Sequence, residues 1–318
     1  MSEGTPPTIG TRSVPGTRRS FSEVTISLDP PLVVPSATDD RTVALLRRAR
    51  SLGVTTFDVA TARYPPRAER LIAHAFPDPD SATSVIVGRS FESLAQERRS
   101  REAPEPDTDV TQALERSLEE SRRRLGRVPI SMVDWVPSGE RTQVGNHGER
   151  SELSSPARTS ELLWVTRLSD PTVALPTPLR SGNLFSGNLS LLEPQLISLF
   201  AEADAGSGAG LIARDPFSAG RLDGSRFAAE SSLPPPGAGP VDVRKLQAEY
   251  EPVLRLGFLT EDRRRTLAQA ALQFVLYWPW VLSVAVPLPT PERFDEVLAF
   301  ASRPPISPDE LTRLGFMK

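Results

Sequence analysis

Short runs of apolar, often β-branched residues recur along the chain. Between them, apolar positions return every three or four residues. The runs are Val24–Leu28, Thr55–Val59, Ser84–Gly88, Ile130–Val136, Leu162–Thr166, Asn188–Leu192, Gly210–Arg214 and Leu282–Pro287. Most are continuously apolar rather than alternating, as parallel strands covered on both faces are. The periodic segments predict helices over Thr42–Leu52, Ala68–Phe76, Val110–Leu125, Pro194–Ala203, Thr266–Tyr277 and Pro291–Ala301. Gly53 and Gly126 supply helix stops, and Asp109 with Gln112 supplies a start. Eight strands alternating with helices predict a single closed (β/α)8 barrel, because right-handed crossovers place the helices outside a parallel sheet.

Three segments depart from this rhythm. Residues 1–22 are rich in Ser, Thr, Pro, Gly and Arg and read as a flexible N-terminal arm ahead of a barrel over 23–318. Residues 138–159 are polar with no apolar period, and 228–241 contain Pro234, Pro235, Pro236 and Gly237. Both fall after strands, where a barrel builds its mouth loops and its sites.

Composition narrows the chemistry. The 318 residues carry 37 basic and 40 acidic side chains, a formal charge of −3, which gives no basic footprint for nucleic acid. No segment is apolar for long enough to cross a membrane, and the N-terminus lacks the apolar core of a signal peptide, so a cytoplasmic location is expected. Cysteine is absent, which excludes thiolate ligands and a thiol nucleophile. Lysine occurs only at 245 and 318, so no lysine base or Schiff base can arise in the first three quarters of the chain. The excess of Arg, Ala and Pro over Lys suggests a GC-rich bacterial genome. Histidine occurs only at His74, inside a predicted outer helix, and His147, in the polar loop. These positions and the scattered carboxylates predict no metal site.

The segment Gly53–Tyr64, GVTTFDVATARY, resembles the G-x-x-x-F-D-T-A-x-x-Y stretch of the aldo-keto reductases. Ala113–Gly126 (ALERSLEESRRRLG), Leu211–Gly224 (LIARDPFSAGRLDG) and Thr266–Pro279 (TLAQAALQFVLYWP) are similar to later segments of that family, in the same order. The resemblance spans about residues 40–318. It implies a (β/α)8 barrel, NADPH-dependent carbonyl reduction, and an Asp, Tyr, Lys, His tetrad at the barrel mouth.

Carried over residue by residue, the tetrad is degenerate. Asp58 matches the family Asp. Tyr64 lies one residue beyond the family Tyr, whose place is taken by Arg63. Gly88-Arg89 stands where the resemblance has Thr-Lys, which puts Arg89 at the Lys position. Asp134-Trp135-Val136-Pro137 stands for Leu-His-x-Pro, which puts Trp135 at the His position. Arginine holds a fixed charge but shuttles no proton, and an indole offers one donor without acid–base function.

The cofactor positions are altered as well. Thr166-Arg167 replaces the Ser-Asn pair that holds the nicotinamide amide, and Arg214-Asp215 replaces the stacking Tyr and its Ser neighbour. The phosphate turn after the last strand is one residue shorter and richer in proline, leaving Arg293 as its phosphate candidate. Arg89, Arg167 and Arg214 are expected at one barrel face, with Asp58 and Asp215 as counter-charges and Asn188 beside them. These residues would either bind an anionic or enolate-forming small molecule or form an ion-pair network filling the cofactor cleft. The leading expectation is a cofactor-independent lyase, dehydratase, cyclase or isomerase of a specialised metabolite. The alternatives are an NADPH-dependent reductase using Tyr64 as acid with Arg89 for Lys, and a non-catalytic binding or partner subunit.

Overall fold

The computed structural model describes residues 8–28, 39–61, 64–90, 94, 110–136, 162–168, 183–202, 208–226, 243–288 and 290–317. Within them a short antiparallel hairpin, β1 (Thr11–Ser13) and β2 (Ser20–Ser22), precedes eight parallel strands. These are β3 (Val24–Ser27), β4 (Thr56–Asp58), β5 (Ser84–Ser90), β6 (Ile130–Val136), β7 (Leu163–Leu168), β8 (Leu184–Asn188), β9 (Gly210–Arg214) and β10 (Val281–Pro287). They pair in chain order, and β10 closes the barrel against β3. The predicted (β/α)8 architecture is the observed one.

The helices are α1 (Asp39–Ser51), α2 (Pro65–Ala75), α3 (Val110–Leu125), α4 (Gln195–Glu202), α5 (Val243–Leu254), α6 (Leu267–Leu276), α7 (Pro291–Leu298) and α8 (Pro308–Arg313). α6 is almost wholly buried. Thr266 opens it with a capping box, accepting from the Gln269 N–H while the Gln269 side chain accepts from the Thr266 N–H. The same reciprocal pairing of Ser307 and Glu310 opens α8, beyond the last helix that the periodicity predicts.

Two other expectations change. The run read as Asn188–Leu192 is the end of a strand and the loop after it; the strand itself is Leu184–Asn188. Leu189 and Leu191 are buried, so apolar character continues past the ladder and blurs its end. Residues 8–22, expected to be part of a loose arm, form the β1–β2 hairpin, and Val14 and Phe21 bury themselves with the lumen residues. The expected mouth loops 138–159 and 228–241 lie outside the described residues.

Apolar packing falls into two bodies. One joins the outer strand faces to the helices and includes Val85, Val87, Val133 and Trp135. The other fills the lumen with Ile86, Met132, Val165, Leu184, Ile212, Leu282 and Ala285 above the hairpin. Side chains alternate faces along a strand. The lumen residues therefore fix which later positions on each strand also point inward.

Candidate functional site

Two residues beyond the lumen layer, toward the strand C-termini, the inward positions are Gly88, Asp134, Arg167, Ser186 and Arg214. On β3 and β4 they are Ser27 and Asp58. An apolar layer is thus capped by a polar one at the barrel end where sites are built.

Arg214 dominates this layer. It is buried; one Nη donates to Asp58 Oδ2 at 2.6 Å and the other to Asp134 Oδ2. Arg167 donates to the same Asp134 oxygen at 2.6 Å, and Ser186 to Asp134 Oδ1 at 3.0 Å. Asp58 also accepts from Ser27 Oγ at 3.1 Å and from the Ala60 N–H at 2.8 Å. Asp58 and Asp134 are both fully buried. Two guanidinium groups and two carboxylates balance in charge, as ions removed from water must.

The electrostatics follow. Burial raises the Asp134 carboxyl pKa, but Arg214, Arg167 and the Ser186 hydroxyl outweigh it and hold it below the usual carboxylate range. Burial disfavours charge on Arg214, yet Asp58 and Asp134 overcome this and keep it protonated more firmly than a free guanidinium. Arg214 Nε and Arg167 Nε are buried and, among the described residues, meet no hydrogen-bond acceptor.

Several sequence-predicted residues lie elsewhere. Arg89 is in phase with Val85 and Val87, on the outer face of β5. It donates to Ser117 O at 2.9 Å and Ser121 Oγ at 2.6 Å on α3, and Ser121 in turn donates to the buried Glu69 of α2. Trp135 likewise faces outward and packs into the outer core. The inward residues at those two places are Gly88 and Asp134. A side chain at Gly88 would overlap the carbonyl of Ala60, because the turn after β4 lies against it.

Asp215 does not serve as the second counter-charge of Arg214. It adopts a left-handed backbone with φ of 47°, and both its carboxylate oxygens accept from the Ala219 N–H. Asp134 provides that charge. Tyr64 stands at the first turn of α2 and is 54% exposed. Asn188 ends β8 beside Arg214 and is exposed at the rim. Arg293, near the start of α7, sits 3.6 Å from Asp223 and 3.5 Å from Glu296. His74 is exposed on α2, and His147 lies outside the described residues. Among the described residues no three potential metal ligands cluster, and no helix is long and apolar enough to cross a membrane.

Sequence reading missed Asp134, Ser186, Ser27 and Gly88. Asp134 carries a usable signal: it is a lone acid inside the apolar run Ile130–Val136 and is in phase with Met132.

The fold and its mouth define a (β/α)8 barrel whose strand C-termini enclose a buried ionic centre. Among solved structures, the chain resembles aldo-keto reductase AKR11C1 from Bacillus halodurans. Against its holo form the TM-score is 0.65 at 17% identity, covering 98% of this chain and 97% of that one. Against its apo form the TM-score is 0.61 at 17% identity, covering 98% and 96%. No protein-family model and no curated protein matches the sequence. The chain therefore has the aldo-keto reductase fold.

At the positions where the resemblance would put a nicotinamide dinucleotide, the side chains are already committed to other partners. Where the resemblance puts a ring-stacking aromatic stands Arg214, fixed between two acids. Of the amide-holding pair, Thr166 faces outward and Arg167 is committed to Asp134. Arg293, the phosphate candidate, already faces two carboxylates, and one basic residue against two acids repels a phosphate.

Proposed function

We propose that this chain is a divergent, aldo-keto-reductase-like enzyme that acts on a small metabolite without nicotinamide chemistry. Its step would be a lyase, dehydratase, cyclase or isomerase reaction. The reading rests on one observation: Arg214 is fixed between Asp58 and Asp134 at the place where the resemblance puts the nicotinamide-stacking aromatic. Gly88, held against Ala60, supports it, because the site has no room there for a lysine.

In this reading the substrate meets Arg167, whose side chain is 21% exposed, and the Asn188 amide at the rim. The guanidinium polarises a substrate carbonyl and favours charge developing on its oxygen. Asp134 and Asp58 lie behind it as positioning residues. They set the orientation of Arg167 and Arg214 and neutralise them, so the site does not repel a neutral substrate. Tyr64, exposed where α2 begins, offers its phenol hydroxyl as a proton donor at the mouth.

Titration with NADPH, followed by nicotinamide fluorescence, tests this reading. The expected result is no saturation below about 100 μM. Saturation at low micromolar NADPH overturns it in favour of a reductase. The complete burial of Asp58 and Asp134 favours a second reading, a non-catalytic binding barrel. A turnover screen over β-hydroxy and enolisable carbonyl compounds separates the two: turnover that Arg167→Gln abolishes supports the enzyme, and binding without turnover supports the alternative.

A further inference from the structure

The barrel floor carries a cavity of about 420 Å³, at the opposite end from Asp58. That volume falls within the range of small-molecule sites. Arg12, Ser13 and Pro15 of the hairpin form one side. Tyr277, Pro279 and Trp280, from the turn between α6 and β10, form much of the other.

These walls are stiff for separate reasons. Trp280 is buried, stacked on Phe200 with ring centroids 4.5 Å apart and planes 13° apart and on Trp278 at 6.0 Å and 26°. Pro15 and Pro279 have fixed φ. Arg12 is locked by Nε to Glu23 at 3.0 Å and by Nη1 to the carbonyls of Trp278 at 3.0 Å and Val281 at 2.8 Å. Its Nη2 donates to Leu276 O. It thereby caps the C-terminal carbonyls of α6, and Glu23 neutralises its charge. The Arg12 side chain is 22% exposed and borders the cavity, and these bonds use one of the two Nη2 hydrogens. Tyr277 is 42% exposed, so aromatic surface at the cavity stays wet.

We propose that this floor cavity is a second ligand site, for a small, flat aromatic molecule. Its ring would pack on exposed Tyr277 and the margin of Trp280, beside the Arg12 guanidinium, gaining aromatic and cation–π attraction. An acceptor atom on the ring would meet Ser13 or the remaining Arg12 N–H. Because the walls are already rigid, little ordering entropy opposes binding. Neutrality of the Arg12–Glu23 pair favours an uncharged ring over an anion. This site is independent of the mouth and of the reaction proposed there.

Quinoline, a flat ring that is neutral at pH 7 and carries one acceptor nitrogen, is the probe, titrated calorimetrically into the full chain and followed by ligand-observed saturation-transfer NMR. Wild-type protein is expected to bind it saturably with a Kd below about 1 mM. Tyr277→Ala, at an exposed position, should weaken binding by about tenfold, which corresponds to ~1.4 kcal/mol. Ser13→Trp, which puts an indole into the cavity from the hairpin, should abolish it. Melting curves establish that both variants are folded, and Tyr277→Ala alone decides the matter if Ser13→Trp is not. Absence of saturation in the wild type, or binding unchanged in a folded variant, overturns the proposal.

Discussion

Arg214 meets Asp134 from a strand three places around the barrel, and it meets Asp58 at the same separation in the other direction. One guanidinium therefore spans the lumen and ties β9 to both β4 and β6. The two acids flank β5, whose inward residue between them is Gly88. The resemblance calls for a cation from β5 at this place; here the cation comes from the facing wall.

That relationship sets the cost of removing Arg214. Arg214→Met leaves Asp58 with neutral partners and Asp134 with Arg167 alone, both wholly buried. An unpaired buried charge costs about 3–5 kcal/mol. Urea unfolding at neutral pH should register a loss of that size. A loss under about 1 kcal/mol would mean that the acids find other partners and that Arg214 does not hold the mouth together.

The pH dependence has a definite sign. The folded-state pKa of Asp134 lies below its ordinary 3.8, and Glu310, held by the Ser307 N–H and Arg265 despite partial burial, also lies below its ordinary 4.5. A carboxylate depressed in the folded state contributes stability that is fully present above its unfolded pKa. That stability is lost as pH falls through the folded value. Unfolding free energy should thus hold between pH 5 and 7 and decline below about 4. Asp134→Asn should flatten the decline, whereas a slope identical to the wild type's would exclude Asp134 as a source of acid sensitivity.

Gly88 and Gly257 make a matched pair. A Cβ at Gly88 meets the Ala60 carbonyl, while nothing lies within 4 Å of one at Gly257. Gly88→Ala must push the β4–α2 turn off the strand, an overpacking cost of about 1–3 kcal/mol or more. Gly257→Ala should stay within about 0.5 kcal/mol of wild type. Equal melting temperatures for the two variants would contradict the crowding at Gly88.

The barrel was legible because strand and helix periods alternate in the sequence, and Asp58 because it ends a strand inside a matched motif. The facing of Arg89 and Trp135 was not. Strands buried on both faces read as apolar throughout, so the alternation that assigns inside and outside is lost. On β5 the deciding mark was the small Gly88 rather than the charge beside it. On β6 it was Asp134 among apolar neighbours rather than the conspicuous Trp135. Matching by strand end alone, one residue out of phase, selected the outward member of each pair. Arg167 and Arg214 fell in phase because each lies two residues past a lumen residue, Val165 and Ile212. The ion-pair network is one of two readings open for these arginines; the sequence marks Asp134 as a lone acid in a strand, and the cross-barrel geometry makes it, rather than Asp215, the second counter-charge.

The last prediction separates what the ionic layer does for the fold from what it does for function. Buried ion pairs replaced together by apolar groups of similar volume are often neutral or stabilising, whereas breaking one leaves a charge stranded. The combined variant Asp58→Val, Asp134→Val, Arg167→Met and Arg214→Met removes both signs at once and extends the apolar lumen layer below it. It should lie within about 2 kcal/mol of wild type in unfolding free energy, despite the larger loss expected from Arg214→Met alone. Such a protein would keep its barrel while losing the guanidinium groups that the proposed chemistry needs. Stability retained with turnover abolished would assign the layer to function. If the combined variant loses at least as much stability as Arg214→Met, the charges are structural and the proposed role for them fails. Chemical unfolding beside the carbonyl turnover screen reads both outcomes on the same preparations.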